Sequence, residues 1–89
     1  MKKIIHLNLK KEWYDKIKSG EKTIEYREYK SYWIKRLLNP FDEIHFKNGY
    51  KKNAEIIKAI PISIKTIWGS STDLKIDWPV FAIYFELIK

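Results

Sequence analysis

Ser19-Gly20-Glu21-Lys22-Thr23-Ile24-Glu25-Tyr26-Arg27-Glu28 holds a helix stop, a strand start and a group of charged side chains in one short stretch. Gly20 falls where a helix over Lys10–Lys18 needs a residue in the left-handed backbone region, which glycine adopts without steric cost. The alternation after it predicts a strand over Thr23–Glu28, with Ile24 and Tyr26 on one face and Thr23, Glu25 and Arg27 on the other. With the Ile24 face packed, Glu25 and Arg27 share the opposite face and Lys22 stands at the strand's mouth. A carboxylate flanked by two cations is either a recognition site or a surface ion pair of little energetic weight.

Upstream, Met1–Leu9 alternates, with Ile5, Leu7 and Leu9 on one face and Ile4, His6 and Asn8 on the other, which predicts a first strand. Lys10–Lys18 has helical spacing, Trp13 and Ile17 forming an i, i+4 apolar pair with Tyr14 beside them. Downstream, Tyr29–Leu38 reads as a second short helix whose buried stripe is Trp33, Ile34, Leu37 and Leu38. Asn39-Pro40 ends it, because the residue before proline disfavours the helical region. Glu43–Asn48 reads as a third strand, with Ile44 and Phe46 facing in and His45 exposed. Asn48-Gly49 is the strongest turn signal of the chain.

A long fourth strand over Ala54–Trp68 changes phase midway, since Ile57 and Ala59 share one parity and Ile60, Ile62 and Ile64 the other. Pro61 has no N–H to give a ladder, so a bulge or sharp bend is expected near Lys58–Pro61. Gly69–Asp77 reads as loop. Pro79–Ile88 reads as a fifth strand, with Phe81, Ile83, Phe85 and Leu87 inward and Tyr84 and Glu86 outward. The order β-α-β-α-β-β-β is that of an α+β chain with one bent long strand and two small helices. It predicts a mixed sheet of about five strands curled into a small barrel. A doubly wound α/β fold is disfavoured, because the second half lacks crossover helices.

The 89 residues suit one domain, and a hydrophobic content of 45% with 16% aromatics is ample for a core despite 33% charged residues. Without cysteine there is no disulfide framework, thiolate metal site or thiol nucleophile. His6 and His45 are too few for most structural zinc arrangements, so neither a metal nor a cofactor is expected. No apolar run approaches the roughly 20 residues of a membrane span, and the expected location is cytoplasmic. A formal net charge of +7 favours a polyanionic partner, RNA or a nucleotide first among them. Heavy Lys and Ile usage from an AT-rich genome explains the same balance. Only Arg27 and Arg36 are arginines, which singles out Arg27, since lysine cannot imitate planar bidentate recognition.

Two sets of residues are candidates for a site. Lys22, Glu25, Tyr26 and Arg27 form one, joined by His6 and Asn8 if the first two strands are near neighbours. Lys47, Asn48, Tyr50, Lys51 and Lys52 form the other, a basic turn with one aromatic that suits a single-stranded backbone. Tyr14, Tyr26, Tyr29, Tyr32, Tyr50, Trp68 and Trp78 offer stacking faces for unpaired bases. Trp13, Trp33, Phe46, Phe81 and Phe85 are assigned to the core.

Gly20-Glu21-Lys22-Thr23-Ile24-Glu25-Tyr26-Arg27 matches a Gly-x-Lys-x-x-Glu-x-Arg motif and so resembles ASCH domains, a PUA-like family named after a transcription-coactivator homology region. Leu7-Asn8-Leu9 and Trp13-Tyr14-x-x-Ile17 resemble the family's lead-in, and Phe81-Ala82-Ile83-Tyr84-Phe85 its closing strand. The resemblance implies a PUA-like barrel, association with RNA, and a cleft between the first helix and the barrel lined by Lys22, Glu25 and Arg27. In that cleft Arg27 would engage phosphate or a base edge and Lys22 the backbone. Glu25 would orient Arg27 or accept from an exocyclic amine. Some related proteins are amidohydrolases acting on N4-acetylcytidine, and these resemble the chain around Lys22. They carry a nucleophilic threonine where Glu25 stands, however, and draw a catalytic glutamate from a late helical segment that the Gly69–Asp77 loop replaces here. Thr23 lies two residues away. A ribonuclease would need a base and a cation, and Lys22, Tyr14, Tyr26, Ser70 and Ser71 are conceivable parts that no spacing compels. The expectation is a binding site with no catalytic residue, a hydrolase or a protein-interaction module being the alternatives.

Overall fold

Every second residue of β1 (Ile4–Leu9) is buried, and that period of two recurs in β3 (Glu43–Asn48) at Ile44 and Phe46. The computed structural model describes residues 2–88 and has the order β1, α1 (Lys11–Lys18), β2 (Ile24–Glu28), α2 (Ser31–Leu37), β3, β4 (Ile56–Trp68), a 3-10 turn (Gly69–Ser71) and β5 (Pro79–Leu87). The strands form one sheet in the order β1-β3-β4-β5-β2, with β1 parallel to β3 and the other pairs antiparallel. It is a mixed five-stranded sheet curled into a half-barrel with two helices, the α+β arrangement expected. Met1, where the first strand was expected to begin, lies outside the described residues.

Cross-strand partners show which face is inside, because residues directly opposite share a face. Leu7 lies opposite Phe46, Ile44 opposite Ala59, Pro61 opposite Phe85 and Ile64 opposite Ile83. Leu7, Ile44, Phe46, Ala59, Ile83 and Phe85, with Ile5 and Phe81, are most of the core, and Ile64 packs against it partly buried. From α1 the core takes Tyr14 and Ile17, which are fully buried, whereas Trp13 stays at the margin. The buried helical pair is therefore Tyr14 with Ile17, and Tyr14 is no stacking face. Its hydroxyl donates to a Glu55 carboxylate oxygen at 2.7 Å, and burial together with that carboxylate holds the phenol above its ordinary pKa.

β4 bends where the phase change required, one step later than expected. Its first residues pair with β3 as far as Ala59, while Ala59 to Trp68 pair with β5, and the register slips between Pro61 and Ser63. Ile62 is the extra residue and is exposed. Pro61 lies just beyond the last β3 pair, so its missing N–H interrupts no ladder on that side. Leu38 is exposed rather than part of the α2 stripe, because the helix ends at Leu37. His45 is not open to solvent either. Its ring meets that of His6 edge-on at 5.4 Å, and its Nε2 lies 3.3 Å from a carboxylate oxygen of the buried Glu43.

Two glycines have different reasons to be glycine. Gly20 ends α1 with φ +86° and open space around a would-be Cβ, whereas a Cβ on Gly69 would lie 2.6 Å from the Trp78 carbonyl oxygen. Gly20→Ala is expected to cost about 1 kcal/mol of backbone strain. Gly69→Ala is expected to cost about 2 kcal/mol or more, because the clash is with backbone that cannot rotate away. Urea unfolding of the two variants checks this ranking.

Candidate functional site

The register of β2 against β5 sets Glu25 opposite Ile83 and Arg27 opposite Phe81, two fully buried core residues. The charged face of β2 is therefore the inner face of the sheet, and Ile24, expected to be packed, is only half-buried on the other side. Polar side chains can face inward on β2 because they pair with one another, which removes the cost that otherwise turns the apolar face in. Glu25 is 5% exposed. Such a carboxylate is tolerated only with its lone pairs filled. Arg27 donates to Glu25 Oε2 from Nη2 at 2.8 Å and from Nε at 3.2 Å, and the Tyr26 backbone N–H lies 3.3 Å from Oε1.

Arg27 also spans a gap in the sheet. β1 and β2 are the two edges of the strand order, and Nη2 donates to the Asn8 carbonyl oxygen at 3.1 Å. The side of its guanidinium that would grip a phosphate is thus committed to Glu25 and β1, leaving Nη1 outside both contacts. Trp33 of α2 lies against the guanidinium, its ring centroid 5.0 Å from Cζ.

Lys22 completes the cluster from the strand's mouth. Its backbone N–H donates to the Lys16 carbonyl oxygen at 3.0 Å, which fixes the turn after α1. Its Nζ is 5.0 Å from the centre of the Tyr26 ring and 5.3 Å from that of Trp13, and its side chain is nearly buried. It lies 3.7 Å from Glu25 Oε1 and makes a direct hydrogen bond to Asp73 Oδ2. Two cations and two carboxylates therefore meet in a cleft of about 490 Å3, whose lining also includes Trp13, Tyr26, Trp33 and Leu74. A volume of this size is within the range of small-ligand sites.

Of the expected residues, Lys22, Glu25, Tyr26 and Arg27 are brought together here. Asn8 contributes through its edge carbonyl. His6 does not line the cleft, because the alternating side chains of β1 point outward while the cleft is reached over the strand's edge. Tyr50 stands exposed at the cleft mouth, its turn held to the end of β1 by the Gly49 N–H donating to the Leu9 carbonyl at 2.8 Å. Lys47 and Asn48 end β3, Lys51 and Lys52 lie in the turn that follows, and none of the four lines the cleft. Thr23, Ser70 and Ser71 are exposed and lie outside it. Trp13 and Trp33, assigned to the core by sequence, pack against it half-buried and also line the cleft, as does Asp73, which stands 51 positions from Lys22 and carries no local signal.

Among the described residues, no three His, Cys, Asp or Glu side chains are grouped to hold a metal, and no helix is long and apolar enough to cross a membrane. No protein-family model matches the chain, and no curated protein matches it in sequence.

Removing Glu25 alone leaves two cations facing each other near the core. Glu25→Ala is expected to lose about 3 kcal/mol or more in urea unfolding. The double replacement Glu25→Leu with Arg27→Met is expected to lose less than Glu25→Ala alone, since it leaves only Lys22, which keeps Asp73.

Proposed function

We propose that the chain is a nucleotide- or RNA-binding module of the ASCH, PUA-like kind, and that the cleft around Lys22, Glu25 and Arg27 is its binding site. The observation that carries this reading is the joining of the motif's charged side chains with the Trp13, Tyr26 and Trp33 rings in one cleft. A base needs flat apolar walls and a few oriented polar atoms, and a sugar-phosphate needs a cation at the mouth. Lys10 and Lys30 also line the cleft, and the turn bearing Tyr50, Lys51 and Lys52 extends the basic rim outward. The ligand fitting this arrangement is a single-stranded segment with one base in the cleft and its backbone along the rim. A role follows for Arg27 that differs from direct phosphate binding. It sets the cleft's shape and presents Glu25, while Lys22 supplies the exchangeable positive charge.

Fluorescence polarisation with a labelled hexauridylate tests the reading. Saturable binding in the micromolar range is expected, weakening steeply from 50 to 200 mM salt as phosphate contacts release counterions. Lys22→Gln is expected to weaken it by about tenfold and Tyr50→Ala by about fivefold or more, with unfolding midpoints close to that of the parent protein. No saturable binding at 50 mM salt, or binding untouched by both substitutions, would overturn it.

A further inference from the structure

Of the charged groups lining the cleft, one comes from the second half of the chain. Asp73 comes from the loop between β4 and β5 and pairs with Lys22 Nζ. The two partners differ in exposure, since the Lys22 side chain is 9% exposed and that of Asp73 is 41% exposed. The ammonium is therefore fixed in the cleft wall, whereas water reaches the carboxylate from outside.

The loop is pinned at its ends and loosely held in its middle. At one end the buried Thr72 donates its hydroxyl to the Gly69 carbonyl at 2.8 Å, and the Gly69 N–H donates to the Trp78 carbonyl at 2.8 Å. At the other end Trp68 Nε1 donates to Asp77 at 2.9 Å and Trp78 Nε1 donates to the Tyr29 carbonyl at 2.8 Å. Between them, the Leu74 and Lys75 N–H groups donate only back to Thr72, and Leu74 is exposed. Among the described residues, the bond between Asp73 and Lys22 is the one hydrogen bond by which residues 73–75 hold the rest of the domain.

The distribution of hydrogen bonds identifies which cation is exchangeable. Arg27 is committed to Glu25 and to the Asn8 carbonyl. Lys22 is 3.7 Å from Glu25, beyond hydrogen-bond length, so Asp73 is its close acceptor. An ammonium has three N–H donors and no geometric fork, so one oxyanion substitutes for another on it without rearranging the wall.

We propose that Asp73 is a tethered competitor: its carboxylate holds the Lys22 ammonium in the free protein and gives way to a phosphate oxyanion of the incoming ligand. The identity of that ligand as a nucleotide rests on the function proposed above; the displacement itself does not. The apparent affinity for any phosphate is then lowered by the fraction of molecules in which Asp73 occupies Lys22. A ligand that brings only a phosphate meets the full competition. One that also brings a base to the aromatic walls loses the same factor but starts from a higher affinity, so it stays bound at concentrations where free phosphate does not.

The test uses the whole chain and two probes, inorganic phosphate followed through the Trp13 and Tyr26 ring resonances and labelled hexauridylate followed by polarisation. Asp73→Asn keeps the size of the side chain and removes its charge. It is expected to tighten both probes by about two- to fivefold, the range for releasing one partly exposed ion pair. In a Lys22→Gln background the same change is expected to do nothing, which separates local competition from a general rise in positive charge. Tightened phosphate binding with no hexauridylate binding in any variant would uphold the competitor and discard the nucleotide reading. Phosphate binding unchanged, weakened or undetected in Asp73→Asn would overturn the proposal whatever the RNA probe does.

Discussion

The hydrogen-bonded pair of Glu25 and Arg27 is the constraint on which the cleft depends. Both side chains sit on the face of β2 that the rest of the sheet devotes to its core, opposite Ile83 and Phe81. Charges in that position must be satisfied within the fold, and they are, by each other and by the Asn8 carbonyl. The last of these contacts joins the two edge strands of an open sheet. A curled sheet whose edges do not pair leaves a wedge between them, and here a guanidinium spans it. The cleft is what remains of that wedge after α1, α2 and the 69–77 loop have closed around it.

The balance of energies at this point is unlike that of the core beneath. A buried ion pair contributes little net stability relative to a well-packed apolar pair, because desolvation offsets most of the attraction. Lys22, Arg27, Glu25 and Asp73 also cancel in formal charge. The chain's excess positive charge therefore lies elsewhere, on exposed lysines such as Lys10, Lys30, Lys51 and Lys52. The rim and the interior of the cleft do different work under this arrangement. A basic rim raises the rate and salt sensitivity of encounter with a polyanion, while a neutral interior leaves selection to shape, stacking and individual hydrogen bonds.

Much of the fold was legible in the sequence because the signals were local. Gly20 with φ +86° and Gly49 with φ +90° stand at the helix stop and the turn that the sequence predicts. Proline and the isoleucine phase change located the bend of β4 to within a residue or two. The site was only half legible, for two physical reasons. A strand's alternation defines two faces without saying which is inside, and Ile24 and Tyr26 were the more apolar choice. Only the register against Phe81 and Ile83, set by a strand more than 50 residues later, decides for Glu25 and Arg27.

The second reason is that a cleft wall and a core surface draw on the same residue types. Trp13 and Trp33 occupy helical positions that a periodicity argument assigns to the interior, and each does have one edge against the core. Their rings also meet cations, Lys16 and Lys22 on Trp13 and Arg27 on Trp33. An aromatic ring at such a boundary satisfies the core with one side and a guanidinium or ammonium with the other. The charged motif and the aromatic walls are thus one structure. Charged side chains of β2 and the tryptophans of α1 and α2 line the same cleft, so its polar and apolar surfaces come from neighbouring elements.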